Sequence, residues 1–338
     1  ILFAAGAWLS VAEAPRGRRL ATGLVGGLVT AGVGVLLGVL TGGQVSLLPL
    51  ALVAAVVLLD LGGIRRVLRL AGVEVRKLAK GRLLRTGLLA TAALTLLATL
   101  TYDAVPGATG WTRAAHGLGV GQWVGDVFLL VLGATALAGE ATGGTLKMML
   151  PHAYRRSDWI LAKALVLVGT AVVFAAVVAA ASLVPAAAED GLGDVLTEPL
   201  FGESPDSAEV FAPARTMASH FLVTVLAGCA AGAALAIVGL FLSTLFDGVV
   251  AALSSAFLVF AGIRLADVLL AIPREDLVHR VFAWPPVQLR EVLGKLGRGL
   301  SERWDPSLLP TTLGLAAVTA ALLLLLAGRI FQVRDVHA

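Results

Sequence analysis

The feature that most constrains this chain is a series of long apolar runs without charged side chains. No Asp, Glu, Lys or Arg lies between Arg19 and Asp60, and similar runs recur towards the end of the sequence. A helix needs roughly 20 mostly apolar residues to cross the hydrocarbon core of a bilayer. The composition agrees, since 58% of the residues are hydrophobic and 14% are charged, whereas soluble domains carry about 25% charged residues. The sequence therefore predicts an all-α, polytopic helical membrane protein and excludes a soluble enzyme.

The positions of these runs predict eight complete membrane spans. They are 20–41, 45–63, 84–102, 122–140, 160–184, 216–245, 248–271 and 309–330, and residues 1–13 predict a further, incomplete span. The chain is thereby divided into extra N-terminal spans at 1–63, an amphipathic segment at 64–83 and a six-span core at 84–338, with loops at 140–160, 185–215 and 272–308. Asp126 falls near the predicted start of its span, where an acidic side chain costs less than at the membrane centre.

The distribution of basic residues predicts the orientation of the spans. Residues 65–85 carry eight basic side chains against one acid, Glu74, and residues 140–163 carry four against two. Short basic loops stay in the cytoplasm, and these two segments lie on the same side only when 122–140 crosses the membrane. The pattern predicts a multi-pass protein of the cell (cytoplasmic or inner) membrane with a cytoplasmic C terminus.

The segment 64–78 has the pattern of an amphipathic helix rather than of a span. Apolar residues recur at helical spacing, and basic residues lie elsewhere around the helix. The apolar residues are Ile64, Val67, Leu68, Ala71, Val75 and Leu78. Such a helix is expected to lie in the cytoplasmic interface with its basic face toward anionic headgroups.

Two loops are predicted on the outer side. The loop 185–215 holds seven acids and one base, and it is expected to be a solvated linker, so that neutralising Glu189, Asp190 and Asp194 leaves the protein intact. The loop 272–308 contains a second helical stripe after a pair of prolines, with apolar residues at Leu289, Val292, Leu293, Leu296 and Leu300. Proline suits the first turn of a helix, and this stripe is expected either to anchor the helix to a surface or to serve the function of the protein.

Constellations that would carry catalysis are absent from the sequence. The five histidines are scattered without the spacing that zinc ligands need. The segment from Gly139 to Thr145 is the nearest approach to a phosphate-binding loop, but it lacks the lysine that reaches the phosphates. The sequence therefore predicts no enzyme activity, no metal or cofactor site and no nucleic-acid partner. Gly228-x-x-x-Gly232 has the spacing of a helix-packing motif.

The stretch from Glu140 to Lys163 carries the most informative motif. It reads Glu-Ala-Thr-Gly-Gly-Thr-Leu, then a short apolar run and a proline, and then two arginines before the lysine. This stretch resembles the ABC type-2 permease family, the membrane subunits of ATP-binding-cassette exporters, in which a Glu closes one span, Gly-Thr-Leu and Pro-x-Ser-Arg follow, and a Lys opens the next span. The matching positions are Glu140, Gly144, Thr145, Leu146, Arg156 and Lys163. Ala153 and Arg155 stand where proline and serine are usual in the family.

The resemblance implies both an architecture and a mechanical role. In the family an amphipathic elbow helix precedes six spans, which corresponds to residues 64–82 and to the spans between 84 and 330. The loop is then a coupling helix. Gly144 allows a break after the span, and Thr145 caps the short new helix. Leu146 and Met149 dock into a cytoplasmic ABC ATPase, and Glu140 and Arg156 orient the loop. ATP and Mg²⁺ would be bound by that ATPase, and a second permease copy would complete the path through the lipid bilayer.

Three other classes of function remain as alternatives to an ATP-driven exporter. A secondary transporter or channel is disfavoured because the deep parts of the predicted spans hold few ionisable residues. A membrane-embedded enzyme is disfavoured because the sequence has no metal-binding or nucleophilic set. An accessory membrane scaffold without transport activity is the third alternative. The cargo of an exporter is not named by the sequence, although an apolar path favours hydrophobic or amphipathic molecules.

Overall fold

The computed structural model describes residues 61–102, 109–144, 156–196, 210–269, 285–300 and 308–333. The spans predicted before residue 61 lie outside the described residues, and so do Thr145, Leu146 and Met149 of the coupling loop.

The described part of the chain is built almost entirely of helices. The elements in chain order are α1 (Leu61–Lys80), α2 (Arg82–Leu100), α3 (Gly110–Thr142), α4 (Arg156–Glu189), β1 (Val195–Leu196), β2 (Val210–Ala212), α5 (Ala214–Leu245), α6 (Val249–Leu269), α7 (Pro285–Leu296) and α8 (Leu308–Val333). The two short strands pair antiparallel in the connection between α4 and α5.

Among the described residues, four helices are long and apolar enough to cross a membrane: α2, α3, α4 and α5. Two further helices contain shorter apolar stretches, Val249–Gly262 in α6 and Thr319–Phe331 in α8. The protein is therefore an all-α protein of membrane-embedded character, which agrees with the prediction from the apolar runs.

Helix α3 lies at the centre of the packing, because it contacts α2, α4, α5, α6 and α7. Its contact with α5 depends on glycines at which the two backbones approach closely. A Cβ at Gly133 would lie 2.1 Å from the carbonyl oxygen of Ala236, and a Cβ at Gly239 would lie 2.4 Å from that of Leu130. Close backbone approach through small residues is a general way for membrane helices to associate.

The predicted motif at Gly228 and Gly232 has a specific packing role in the same contact. A Cβ at Gly228 would lie 2.1 Å from Nε2 of Gln122, and one at Gly232 would lie 3.1 Å from Oδ1 of Asp126. The two glycines of α5 therefore leave room for the polar side chains of α3. The packing interpretation of this motif is confirmed.

The seam between α2 and α3 is made of threonines and glycines. Thr95 and Thr99 are fully buried, and each hydroxyl donates to the carbonyl oxygen one turn earlier in α2, at 2.6 and 2.8 Å. A Cβ at Gly121 would lie 2.2 Å from Oγ1 of Thr95, and one at Gly117 would lie 1.9 Å from Oγ1 of Thr99. Both hydroxyls are hydrogen-bonded within their own helix, so burying Thr95 and Thr99 leaves no unsatisfied hydroxyl donor.

Asp126 is buried within a helix that is longer than the predicted span. Helix α3 runs from Gly110 to Thr142, so Asp126 lies at the midpoint of the helix, and its side chain is buried. The helix begins well before the apolar run at 122–140, and the place of Asp126 near the start of the membrane span stays a prediction. Gly and small polar residues dilute the hydropathy of the first turns of α3 without preventing their burial in the bundle.

The amphipathic stripe near the second outer loop is folded onto the bundle. Leu289, Leu293 and Leu296 of α7 are buried, and α7 packs against α3 and α5. Leu300 lies after the end of the helix and is exposed. The expectation of a surface-anchoring stripe is therefore wrong, since its apolar face is covered by the protein itself.

Candidate functional site

Helix α1 presents different faces to different surroundings. Val67, Leu70 and Ala71 are buried and form an apolar cluster with Ala162 and Val166 of α4. Leu68 and Val75, predicted in the same apolar stripe, are about half exposed on the neighbouring flank. The face beyond them is basic and exposed, with Arg65, Arg69, Arg76 and Lys80. One face thus fixes α1 to the bundle, and the surface that remains carries both apolar and basic side chains.

A buried cluster of charges, here called the basal ion cluster, joins α1, α3 and α4. It consists of Glu74 and Lys77 of α1, Glu140 of α3 and Lys163 of α4. The Nζ atom of Lys163 donates to Oε2 of Glu74 at 2.9 Å and to Oε1 of Glu140 at 2.8 Å. Lys77 also donates to Oε1 of Glu140. The cluster holds two positive and two negative charges, so each charge has an opposite one beside it.

Burial differs within the basal ion cluster. The side chains of Glu74, Glu140 and Lys163 are 8%, 6% and 4% exposed, whereas that of Lys77 is 47% exposed. Desolvating an ion is costly, and breaking a buried pair leaves an uncompensated charge. Lys163 is thus the centre of the cluster, and Lys77 is its partly solvated edge.

An ion pair and a hydrogen bond from an arginine fix the same end of the bundle. Nε of Arg66 lies 3.5 Å from Oδ2 of Asp158, and this pair ties α1 to the first turn of α4. Nη1 of Arg156 donates to the carbonyl oxygen of Phe331 at 3.1 Å, and its guanidinium lies 6.0 Å from the centre of the Phe331 ring. That distance is at the limit of a cation–π contact. Arg156, predicted to orient the coupling loop, therefore holds α4 to α8.

The structure places the ends of the predicted coupling loop close together. Helix α3 ends at Thr142, and Gly144 has a φ of +67°, a conformation that glycine adopts without steric cost. The break that the sequence predicts at Gly144 is thus present. Helix α4 begins at Arg156. Glu140 and Lys163, the first and last residues of the motif, are in direct contact across this break.

A cavity of about 340 Å³ lies beside the basal ion cluster. Glu74, Lys77, Glu140 and Lys163 contribute its polar wall. The remaining wall is mainly apolar and comes from α2, α3 and α4, with Leu83, Leu84, Leu132, Ala136, Val166 and Leu167. Its volume is at the lower end of the range for small-molecule sites.

The far end of the bundle carries a second ionic group that the sequence did not predict. Arg113 of α3 is buried, and its guanidinium contacts Oε2 of Glu189 at 2.6 Å and Oδ2 of Asp190 at 2.5 Å. Oδ1 of Asp194 accepts a hydrogen bond from the backbone N–H of Ala214 at 2.6 Å, at the start of α5. These three acids are exposed, as the solvated-linker prediction requires, but each also has a partner in the fold.

Glu74 and Lys77 of the basal ion cluster are not among the site residues that the sequence predicts. The sequence offered one signal, because Glu74 is the single acid among eight basic residues in 65–85. It also lies at i+7 from Val67 and i+3 from Ala71, which places it on the buried face. An isolated acid on an otherwise apolar helical face indicates an ion pair with a neighbouring element.

Within the part of the chain that the structure describes, no group of His, Cys, Asp and Glu side chains could hold a metal ion. Comparisons with known protein families and with curated proteins find no match to this chain.

Proposed function

We propose that this chain is the membrane-spanning permease subunit of an ATP-driven ABC exporter. In this proposal six spans between residues 84 and 330 line the translocation path, α1 is the elbow helix, and 140–160 is the coupling loop. The permease works as a dimer, with an identical or related second copy, and two cytoplasmic ATPase subunits bind ATP and Mg²⁺. The chain itself is not an enzyme, and its C terminus lies in the cytoplasm of a cell membrane.

The observation that carries this proposal is the contact between the two ends of the motif. Glu140 and Lys163 are 23 residues apart in sequence, and their side chains meet at 2.8 Å in a buried cluster that also includes Glu74 of α1. A loop that transmits motion needs a stiff base, because a flexible base would absorb the displacement. The basal ion cluster supplies such a base by fixing α1, α3 and α4 to one another.

The experiment that tests the proposal replaces the apolar residues of the loop. Changing Leu146 and Met149 together to Ser should weaken binding of the partner ATPase by roughly tenfold or more, because truncated interface anchors often cost more than about 1 kcal/mol each and about 1.4 kcal/mol is a factor of ten. Binding is measured by co-purification from membranes in which ABC ATPases of the source organism are co-expressed with this chain, and transport is measured in vesicles.

A matched control changes two apolar residues that face away from the bundle. Leu68 and Val75 of α1 are each about half exposed, so Leu68→Ser with Val75→Ser removes similar apolar area without touching the loop. ATPase binding should survive this control. Normal ATPase binding and transport in the Leu146/Met149 variant would exclude the loop as the coupling element.

One observation favours a second candidate, a proton- or ion-coupled transporter. Asp126 is buried at the midpoint of α3 beside a small cavity that Gln122 and Cys229 also line. Ionisable residues deep in a membrane protein commonly mark ion pathways. The two candidates differ in their energy source: Asp126→Asn should leave ATP-driven transport intact in an exporter, but it should abolish transport driven by a proton gradient in a coupled carrier.

A further inference from the structure

The cavity beside the basal ion cluster extends into the bundle from the corner between α1 and α2. Partly exposed residues line it where α1 ends and α2 begins, namely Leu78, Gly81, Leu83 and Leu84. Its inner wall includes Leu132 of α3 and Leu167 of α4, and both of these side chains are buried. A hydrocarbon chain can therefore enter at the corner and lie against an apolar inner wall.

The same corner carries basic side chains that are not neutralised by a neighbouring acid. Lys80 and Arg82 flank Gly81, Arg85 follows in the first turn of α2, and all three are exposed. Within the described part of the chain, none of the three forms an ion pair. Glu74, the single acid of this segment, is buried and pairs with Lys163. The corner thus has a net positive charge beside an apolar cavity, which favours an anionic amphiphile as the occupant.

The guanidinium of Arg85 is held in place at this corner. Its Nε donates to the carbonyl oxygen of Ala79, in the last turn of α1, at 3.1 Å, so the side chain folds back from α2 across the junction. A guanidinium has five N–H donors, and the four on the Nη atoms of Arg85 have no hydrogen-bond partner among the described residues. A planar group of this kind binds phosphate oxygens in a bidentate manner.

We propose that this cavity binds an anionic phospholipid, with one acyl chain along the leucines and with the phosphate held by Arg85 and the flanking Lys80 and Arg82. The occupant is a lipid rather than a free phosphate because a water-soluble anion would leave the apolar wall uncovered. The basal ion cluster is unchanged, since its four charges already compensate one another. The proposal is independent of the export function, because it concerns one cavity and is tested by binding alone.

The test compares phosphatidylglycerol with phosphatidylcholine of the same acyl chains. Both lipids carry the phosphate, but the choline group neutralises it, so only the glycerol lipid has a net charge. Native mass spectrometry of the full chain in a non-ionic detergent, titrated with either lipid, gives the two affinities. Phosphatidylglycerol should bind at least tenfold more tightly, because each basic side chain beside an anionic lipid contributes a factor of about five. Glycerol 3-phosphate, which has no acyl chain, should not displace it; displacement at equal concentration would show a phosphate site instead.

Charge substitutions distinguish a built site from a general attraction to a basic surface. Arg82→Gln with Arg85→Gln should weaken phosphatidylglycerol binding at least tenfold. The matched control is Arg65→Gln with Arg69→Gln, which removes the same charge from exposed positions of α1, three or more helical turns before Gly81. The control should keep the preference for phosphatidylglycerol. An equal loss in both pairs would overturn the proposal.

A second pair of variants tests the acyl-chain end of the cavity. Ala136 lines the cavity and carries no charge, so Ala136→Phe fills the space and should lower the affinity for phosphatidylglycerol at least tenfold. Ala93→Phe is the control, because Ala93 is exposed on α2, and it should bind normally. The arginine variants change exposed side chains only, so they keep the test decisive if Ala136→Phe fails to fold. Equal affinity for the two lipids in the unmodified chain, or unchanged binding in a folded Ala136→Phe variant, would also overturn the proposal.

Discussion

Replacing Lys163 with methionine should destabilise the protein more than any other single change in the basal ion cluster. Lys163 is 4% exposed and donates to two buried carboxylates, those of Glu74 and Glu140. Methionine has a similar length and no charge, so the variant preserves most of the packing of α4. What it removes is the only basic side chain in contact with Glu74 among the described residues.

The magnitude follows from the burial of the carboxylates that are left. Breaking a buried ion pair by removing one partner costs about 3–5 kcal/mol, because the remaining charge stays desolvated. Glu140 keeps Lys77 as a partner, so the cost arises mainly at Glu74. At about 1.4 kcal/mol per factor of ten, the ratio of unfolded to folded protein should rise between about a hundredfold and a few thousandfold.

Lys77→Met is the matched control for this prediction. It makes the same chemical change at a lysine that contacts Glu140, but the side chain of Lys77 is 47% exposed. Solvent screens such a pair, and exposed ion pairs contribute about 0–1 kcal/mol. Lys77→Met should therefore cost less than about 1 kcal/mol, and the difference between the two variants isolates the effect of burial.

The assay can use the single cysteine of the chain. Cys229 is partly buried and packs against the core that α3, α4, α5 and α8 share, so its labelling by a maleimide reports unfolding in mixed micelles of increasing dodecyl sulfate content. Adding Glu74→Gln to the Lys163→Met variant should recover part of the lost stability, because it removes the uncompensated charge. If Lys163→Met unfolds at the same dodecyl sulfate content as the unmodified chain, the cluster does not stabilise this fold.

The other predictions use the same unfolding assay or site-specific labelling. Asp190→Asn removes a carboxylate from a buried guanidinium and should lower the free energy of unfolding by about 1–3 kcal/mol; an unchanged dodecyl sulfate midpoint of unfolding would show that this ion pair does not stabilise the fold. Gly133→Ala should strongly destabilise the α3–α5 contact, since its Cβ would lie 2.1 Å from a backbone oxygen. Gly169→Ala is the control and should be neutral, because Gly169 has open space around it; equal unfolding midpoints for the two variants would contradict this prediction. In a cysteine-free background, Cys at Ser207 should label from outside and Cys at Ser157 only after permeabilisation, and labelling of both from one side would exclude a span at 122–140.

The helical membrane character of the chain could be read from the sequence because it depends on local quantities. The length and hydropathy of each run decide whether a helix can cross a bilayer, and neither depends on tertiary contacts. The runs at 160–184 and 216–245 accordingly fall within α4 and α5, and the run at 84–102 overlaps α2 up to Leu100. The break at Gly144 is local in the same sense, since it reflects the freedom of one glycine at positive φ.

The partners of charged side chains were decided only by the tertiary structure. Arg113, Glu189 and Asp190 lie in segments that look like polar loop ends, and their pairing across 77 residues has no signature in local sequence. The same holds for Glu74 and Lys163, which are 89 residues apart. Hydropathy also places a helix end where the apolar run ends, so it could not locate the start of α3 at Gly110 or Asp126 at its midpoint. Sequence thus determined which segments are helices in an apolar environment, because that is a property of each segment. The fold decided which charges are buried together, because the burial of a side chain depends on the neighbours that it contacts.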